Sequence, residues 1–209
     1  MNILAIGAHP DDIELGCAGT LLRYVRLGHH VYFLIMSEGA QGGDPAVRAR
    51  EQESAAKRLG VKRVFWGGCE DTFFDASRDI VSMIERVCDE VKPDEVYVNF
   101  PKDSHQDHRA LGKAVISATR YIPRVLFYED YTSFDFNPEI FVDITTVIDE
   151  KIEVIKLHSS QVERNQPKAL DMLESVRAVA HFRGFQGKVR YAEGFKPLRY
   201  LKLIDANQA

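Results

Sequence analysis

The chain has few cysteines, and none is placed for a structural bridge or a metal clip. Cys17, Cys69 and Cys88 are the three cysteines among 209 residues, and they are far apart in the sequence. An odd number of widely spaced cysteines excludes a disulfide framework, and the absence of a CxxC pair excludes a cysteine-rich zinc module. Because disulfides are rare in reducing compartments, cysteine usage predicts a reduced, cytoplasmic protein.

Long apolar runs and massed basic residues are also absent. Apolar residues make up 45% of the chain, but no run approaches the roughly 20 residues needed to cross a bilayer. The first residues lead directly into an apolar segment, without the basic-then-apolar order of a secretion signal. The 27 lysines and arginines are scattered and the formal net charge is -4, which argues against binding to a phosphate backbone. We therefore expect no nucleic-acid partner and no membrane insertion.

What the sequence does contain is an alternation of short apolar runs and helical patterns over its first two-thirds. The predicted strands lie at residues 2–7, 31–36, 63–66, 95–100 and 125–128. After the first of them, Leu15, Ala18, Leu22 and Val25 recur at helical spacing. Pro45 and Gly60 bracket the next helix. This βαβα alternation is typical of an α/β fold, with a mostly parallel sheet and helices on both faces.

The last third is less regular. The patterns predict an edge strand at 140–144, helices at 145–160 and 169–182, and a late strand at 198–203. No repeat, low-complexity tract or linker divides the chain. The sequence therefore predicts a single domain that spans residues 1–209.

Polar side chains directly follow the first and the fourth predicted strand. His9, Asp11 and Asp12 come after the first strand, and residues 104–108, Ser-His-Gln-Asp-His, follow the fourth. If these two strands are neighbours in a doubly wound sheet, both loops meet at its carboxyl edge, where ligands bind. Imidazoles and carboxylates are ligands that zinc takes, and three protein ligands plus water make a catalytic rather than a structural site.

Each cluster alone also has an ordinary structural explanation. Asp11 or Asp12 can cap the helix that begins near Ile13, and His108 can be a helix-start residue without a partner. Two such clusters after strands of one sheet favour the metal site over these explanations. A dinucleotide site is disfavoured, because G-x-G-x-x-G is absent and the carboxylates in the turn repel phosphate.

At these two clusters the chain resembles the LmbE-like, or PIG-L, family of zinc-dependent sugar N-deacetylases. The matching motifs are His9-Pro10-Asp11-Asp12-Ile13-Glu14-Leu15-Gly16 and His105-Gln106-Asp107-His108-Arg109, with shorter matches at Arg50-x-x-Glu53, His158-x-Ser160-Gln161 and Tyr191-Ala192-Glu193-Gly194-Phe195. The resemblance covers nearly the whole chain. It implies a Rossmann-like fold and one catalytic metal per chain, Zn²⁺ with Fe²⁺ as the alternative.

The resemblance also implies a role for each residue of the two main motifs. His9, Asp12 and His108 would be the metal ligands. Asp11 would be the general base, and His105 would stabilise the oxyanion. Either Asp11 or His105 would return a proton to the leaving amine.

Other residues have less specific implied roles. Asp107 would orient an imidazole, and a position near His105 would favour the imidazolium form of that ring. Some family members use a tyrosine just before the second motif, where this chain has Asp103-Ser104. Arg50 and His158 are candidates for substrate binding. A solvated helix charge explains Arg50 equally well, and packing of a helix-face histidine against a neighbour is the favoured explanation for His158.

These observations predict a metal-dependent hydrolase that removes the acetyl group from an N-acetylglucosamine-type sugar or small conjugate and releases acetate. The first alternative is an amidase that cleaves a larger acyl group from an amino-sugar conjugate. The second is a non-catalytic, Rossmann-shaped module that binds a sugar or a nucleotide. A small-molecule amino sugar is the expected partner, and a homo-oligomer, a trimer or a hexamer, is expected by analogy with relatives.

Overall fold

A computed structural model describes residues 1–164 and 170–202 of the chain. Its strands are β1 Asn2–Gly7, β2 His30–Ser37, β3 Arg63–Cys69, β4 Glu95–Asn99, β5 Arg124–Tyr128, β6 Ile140–Asp143 and β7 Ala192–Tyr200. Its helices are α1 Asp12–Arg26, α2 Pro45–Leu59, α3 Arg78–Val91, α4 Gln106–Ala118, α5 Ile148–Ile155, α6 Ser159–Val162 and α7 Met172–Gly187. The predicted alternation of strands and helices is confirmed.

The strands form a single sheet in the order β3-β2-β1-β4-β5-β7-β6. Strands β1 to β5 are parallel, whereas β7 runs antiparallel to both β5 and β6. β2 and β3 lie on one side of β1, and β4 and β5 lie on the other side. β1 and β4 are therefore neighbours, with Ile3 opposite Glu95 and Ile6 opposite Val98, and the sheet has its switch point between them.

Helices cover both faces of the sheet, as predicted. Successive β1 residues point to opposite faces because side chains alternate along a strand. Ile3 and Ala5 pack with α1, α2, α5 and α7, whereas Leu4 and Ile6 pack with α3 and α4. Within residues 1–164 and 170–202, no helix combines the length and the apolar character needed to cross a membrane.

Turn chemistry sets the limits of α2, as the sequence indicates. Pro45 occupies the first turn, where its missing N–H costs nothing, and the Asp44 carboxylate accepts hydrogen bonds from the amides of Ala46 and Val47. Gly60 ends the helix at φ +93°, a conformation that glycine adopts without a steric penalty. Both ends of α2 therefore lie where the sequence predicts them.

The last third departs from the sequence prediction in two places. The predicted helix at 145–160 is two helices, α5 and α6, separated by residues 156–158. The late strand begins at Ala192 rather than at 198, because Gly194 and Pro197 hide the strand pattern. Pro197 lacks an N–H donor and is tolerated where the pairing of β7 with β5 shifts register.

The other predicted elements of this region are found with small shifts. Among the described strands, β6 pairs with β7 alone and is the predicted edge strand. α7 starts at Met172 and continues past Phe182 to Gly187. Ala169 and Leu203, which bound the predicted helix and the predicted strand, lie outside the described residues.

Candidate metal and catalytic site

Both polar clusters lie at the carboxyl edge of β1 and β4. Residues 8–11 form the turn between β1 and α1, and Asp12 is the first residue of α1. His105 is the N-cap of α4, and Asp107 and His108 lie in its first turn. Three imidazole rings converge there: the ring centroids of His9 and His105 are 4.7 Å apart, those of His105 and His108 also 4.7 Å, and those of His9 and His108 5.5 Å. The switch point between the two strands therefore brings both clusters into one site.

The Asp12 carboxylate lies between two of these rings. Its Oδ2 atom is 3.6 Å from Nδ1 of His9 and 3.4 Å from Nε2 of His108, and all three side chains are buried. Ligand atoms about 2.1 Å from a tetrahedral zinc ion are about 3.4 Å from one another. The two contacts of Asp12 therefore have about the spacing of atoms that share one divalent cation.

Three groups of donor atoms that could hold a metal ion occur among the described residues, and each includes His9 or His108. One set consists of His9, His105 and His108, in which the donor atoms lie within 4.8 Å of one another. Two further sets with the same spacing add carboxylates: His9 with Asp71 and Asp107, and Asp12 with His108 and Asp130. Imidazole nitrogens and carboxylate oxygens are the donors that Zn²⁺ and Fe²⁺ take, so the chemistry of the site also fits a metal.

Carboxylates create a strongly negative potential at His9. Burial lowers the pKa of this ring, but hydrogen bonds with Asp107, Asp12 and Asp71 outweigh that effect and raise the pKa to about 12. The Asp107 contact is 3.0 Å and the Asp71 contact 3.1 Å, both to Nε2. Because metal ions compete with protons for imidazole ligands, a site that favours protonation so strongly also favours a bound cation.

Carboxylates also surround the His108 ring and raise its pKa. Burial lowers its pKa, whereas Asp12 and Asp103 raise it to about 11. Oδ2 of Asp103 is 3.3 Å from Nδ1 of His108 and also accepts a hydrogen bond from the Ser133 hydroxyl at 2.9 Å. Asp103 therefore fixes the ring from the side opposite Asp12, as a carboxylate behind a metal-binding histidine does.

Asp11 has an unusual backbone conformation, and its hydrogen-bond partners come from α2. Its φ angle is +96°, which a non-glycine residue adopts at a cost of roughly 1–3 kcal/mol. Its amide donates to the Gln52 side chain at 3.2 Å, and an Arg48 nitrogen lies 2.8 Å from the Pro10 carbonyl and 3.4 Å from the Asp11 carboxylate. Burial raises the pKa of Asp11 to about 6, although Arg48 opposes the shift.

The structure corrects the expected partnership between Asp107 and His105. The Asp107 carboxylate contacts His9 and accepts a hydrogen bond from the Thr72 amide at 2.8 Å, so the imidazole that it orients is that of His9. Only the backbone amide of Asp107 reaches His105, where it donates to Nδ1 at 3.3 Å. Burial and the neighbouring His9 and His108 lower the pKa of His105, and Asp107 does not reverse this.

Asp71 contacts Nε2 of His9, and Asp103 contacts Nδ1 of His108. The sequence motifs assign a role to neither aspartate. Asp71 follows β3, and its second oxygen accepts from the Gln41 amide at 2.7 Å. Asp103 follows β4. The available signal is positional: each is an acidic residue a few positions after a parallel strand, at the edge of the sheet where ligands bind.

Arg48, rather than Arg50, reaches the site. Arg50 lies on the exposed face of α2, whereas Arg48 is buried and also donates to the Gly39 carbonyl at 2.8 Å. Helical spacing is the signal that separates them: the buried residues Ala55 and Leu59 lie seven and eleven positions after Arg48, and therefore on the same face.

His158 lies behind the site rather than in it. It is buried, and its Nε2 is 3.5 Å from the Glu14 carboxylate. Glu14 accepts a hydrogen bond from Gln52 at 2.7 Å, and Gln52 in turn holds the Asp11 amide. His158 is absent from the residues that line the catalytic cavity, and the contacts of Glu14 and Gln52 link it to Asp11.

The site opens into a cavity of about 330 Å³, which we call the catalytic cavity. His9, Asp11, Asp12, His105 and His108 line it together with residues from distant loops. Those residues include Gln41, Arg48, Asp71, Asp130, Tyr131, Gln161 and Arg164. The cavity thus has many polar side chains in its lining, is open to solvent and is large enough for one sugar ring.

Comparison with known proteins points to one family. Residues 4–119 match the family described as PIG-L: GlcNAc-PI de-N-acetylase. A protein of Escherichia coli K12 named "Uncharacterized deacetylase YaiS" is 34% identical over 168 residues, which cover 76% of this chain and 91% of that protein.

Two solved structures share the fold over most of the chain. The conserved protein TT1542 from Thermus thermophilus superposes with a TM-score of 0.85 at 25% identity, and covers 99% of both chains. An N,N'-diacetylchitobiose deacetylase from Pyrococcus horikoshii, solved with an inhibitor, superposes with a TM-score of 0.81 at 28% identity. That likeness covers 94% of this chain and 83% of the other.

Proposed function

Because this chain belongs to the PIG-L family, we propose that it hydrolyses the N-acetyl amide of an N-acetylglucosamine-type sugar or conjugate. The products are acetate and the free amine. The observation that carries the proposal is that Asp12 contacts both His9 and His108, while the neighbouring carboxylate of Asp11 belongs to none of the groups of donor atoms found among the described residues. Such a site combines a metal with a separate base, as amide hydrolysis requires.

The metal, which we expect to be Zn²⁺, would be held by His9, Asp12 and His108. A divalent cation bound there lowers the pKa of water and polarises the acetyl carbonyl. Asp107 and Asp71 on one ring, and Asp103 on the other, keep the two imidazoles oriented. Fe²⁺ accepts the same ligands, so the donor set alone does not choose between the two metals.

Asp11 acts as the general base that takes the proton from the attacking water. Burial raises the pKa of Asp11 to about 6, so the carboxylate is mostly ionised at neutral pH and still basic enough to accept a proton. The same group can then return the proton to the amine as the C–N bond breaks. Arg48 and Gln52 keep Asp11 in its strained conformation through both steps.

His105 stabilises the negative charge that develops on the acetyl oxygen. Its Nδ1 accepts a hydrogen bond from the Asp107 amide, so in the neutral ring the proton is on Nε2, which is available as a donor. Surrounding groups lower the pKa of this ring, which favours the neutral form. The proton for the leaving amine is therefore assigned to Asp11 rather than to His105.

The test is acid and amine release by zinc-loaded protein from N-acetylglucosamine, N,N'-diacetylchitobiose and N-hexanoylglucosamine. The proposal predicts equal amounts of acetate and free amine from an N-acetyl substrate. Release of hexanoate without acetate would instead support an amidase for larger acyl groups. Sugar binding without release of any acid would support a non-catalytic module.

A further inference from the structure

A buried series of hydrogen bonds runs from the Asp11 backbone to Glu14, a residue that the proposed reaction does not use. The Asp11 amide donates to Oε1 of Gln52 at 3.2 Å, and Nε2 of Gln52 donates to Oε1 of Glu14 at 2.7 Å. The side chains of Gln52 and Glu14 are completely buried. We call these three residues the Asp11 support.

The order of donors and acceptors allows one orientation of the Gln52 amide group. A main-chain N–H only donates, and a carboxylate only accepts. If the amide group turned by 180°, its NH₂ would face the Asp11 N–H and its oxygen would face the Glu14 carboxylate. Both buried hydrogen bonds would then be lost. The acceptor on Glu14 therefore keeps the Gln52 oxygen turned toward Asp11.

The peptide group that the support reaches is held at both of its polar atoms. It joins Pro10 to Asp11, and its oxygen accepts from Arg48 at 2.8 Å while its N–H donates to Gln52. Asp11 follows with φ +96°, so this peptide group leads directly into the strained residue. If the group rotated, the Asp11 carboxylate would move relative to the bound acetamide, and a misplacement of about 1 Å can lower a rate about a hundredfold.

The far end of the support is fixed by the packing of several elements. Glu14 comes from α1 and Gln52 from α2, whereas His158 lies between α5 and α6. Nε2 of His158 is 3.5 Å from Oε2 of Glu14, and neither atom makes a hydrogen bond with the described residues. Glu14 thus uses one oxygen for Gln52 and presents the other to His158.

We propose that Glu14 is a positioning residue for Asp11: it orients Gln52, and Gln52 holds the Pro10–Asp11 peptide group. Glu14 does not line the catalytic cavity and belongs to none of the groups of donor atoms found among the described residues. It therefore acts through Gln52 rather than on the substrate or the metal. The inference rests on the proposed function, since it requires Asp11 to be the base.

Two substitutions at Glu14 separate the reach of its side chain from its charge. Glu14→Asp keeps the charge but withdraws the oxygen from Gln52, so kcat for N,N'-diacetylchitobiose falls at least about tenfold, while KM and zinc content stay within about twofold of the wild type. Glu14→Gln keeps an oxygen in place to accept from Gln52, so its kcat stays within about twofold of the wild type.

A further variant shows whether Glu14 and Gln52 act in series. Gln52→Leu removes the acceptor of the Asp11 amide and lowers kcat at least as much as Glu14→Asp does. The double variant Glu14→Asp/Gln52→Leu loses no more activity than Gln52→Leu alone, because the effect of Glu14 passes through Gln52. Effects on kcat that multiply in the double variant would overturn the inference.

The matched control is Glu95→Asp, the same change at another buried glutamate. Glu95 begins β4, at the end of the strand opposite the site, and accepts from the hydroxyls of Tyr24 at 3.1 Å and Tyr97 at 2.5 Å. This variant loses stability in urea but keeps kcat within about twofold of the wild type. An equal loss of kcat in Glu95→Asp would show that destabilisation alone lowers activity, and would overturn the inference.

Hydrogen exchange at the Asp11 amide, followed by NMR, needs no turnover and so separates this inference from the proposed function. Exchange becomes at least about tenfold faster in Glu14→Asp, but not in Glu14→Gln or Glu95→Asp. Absence of acetate release by the wild type would refute the proposed function, while exchange still tests the support. Unchanged exchange in Glu14→Asp, wild-type kcat in that variant, or an equal loss of kcat in Glu14→Gln would overturn the inference.

Discussion

Asp11 is the residue in which strain, burial and proposed chemistry coincide. Its left-handed backbone is held by Gln52 and Arg48, two side chains of α2 that lie one helical turn apart. Strained non-glycine residues persist only where surrounding contacts fix them, and they concentrate at active sites. Asp11 lines the catalytic cavity, while Asp12, its neighbour, contacts the histidines.

Replacing Asp11 with asparagine separates catalysis from metal binding. Asparagine tolerates the left-handed conformation and is nearly isosteric, so Asp11→Asn folds and keeps zinc. It cannot accept the proton from water, so kcat falls at least about a hundredfold. Zinc content by mass spectrometry and acetate release check the two halves of this prediction.

The matched comparison is His108→Ala, which removes a proposed ligand rather than the base. This variant loses zinc on dialysis and therefore also loses turnover. Full zinc content in His108→Ala, or wild-type turnover in Asp11→Asn, would contradict the assigned roles.

The two motifs meet in the structure as the sequence indicates, but several contacts around them are not visible in the motifs. Asp71 and Asp103 contact His9 and His108 from loops whose positions depend on the strand order. The choice between Arg48 and Arg50 depends on the phase of α2, which short local matches do not fix. A motif therefore identifies the centre of this site, while folding supplies its outer contacts.

At the scale of elements, α1 packs unusually closely against β5. A Cβ atom at Gly16 would overlap the Tyr128 ring, and the Tyr128 hydroxyl is anchored to the Ile6 carbonyl at 2.9 Å and to Asn99 at 3.0 Å. The ring therefore has no room to move away. Close approach of this helix brings Asp12 within reach of His108.

Gly16→Ala tests this contact. In a helix without steric conflict the change would stabilise the fold by up to about 1 kcal/mol, because glycine disfavours helix formation. Here overpacking reverses the sign, and we expect the free energy of unfolding to fall by about 1–3 kcal/mol. Urea denaturation measures this free energy of unfolding. An unchanged or increased value would show that α1 packs less closely against Tyr128 than described.

A second inter-element contact joins α2 to α6. The Glu51 carboxylate accepts hydrogen bonds from the Ser159 hydroxyl at 2.9 Å and from the amide and hydroxyl of Ser160 at 2.8 and 2.6 Å. Burial opposes ionisation of Glu51, but the hydrogen bonds from Ser160 and Ser159 hold its pKa below the usual value. The contact therefore stabilises the fold only while Glu51 is ionised.

Glu51→Gln lowers the free energy of unfolding at pH 7 by about 1 kcal/mol. Because the folded-state pKa is depressed, this contribution is complete above the ordinary carboxyl range and is lost as the pH falls through the lowered folded-state pKa. The stability difference between wild type and variant should therefore shrink in acid. Glu38→Gln, at an exposed loop position, is the control and shows no such pH-dependent difference.

Sequence patterns were most reliable for elements with strong periodicity and clear caps. α2 begins and ends at the residues that Pro45 and Gly60 indicate. The antiparallel strand β7 was displaced because Gly194 and Pro197 contradict local strand preference, and only pairing with β5 and β6 explains them. Tertiary contacts, rather than propensity, decide such segments.

At the scale of the whole molecule, strand order is the fact that creates the site. Parallel strands β1 and β4 are neighbours although residues 8–94 lie between them in the sequence. Alternating helices predicted a parallel sheet, and the carboxyl-edge rule then predicted where both polar loops meet. The single domain over residues 1–209, the cytoplasmic location and the homo-oligomer stay predictions.

The most direct test of the account is a zinc titration of metal-depleted protein, followed by acetate release from N,N'-diacetylchitobiose. With His9, Asp12 and His108 as the proposed ligands of one cation, we expect no acetate without metal, and a rate that rises with zinc and stops rising near one equivalent per chain. Undiminished acetate release by the metal-free protein, or none at any zinc concentration, would contradict a metal-dependent deacetylase.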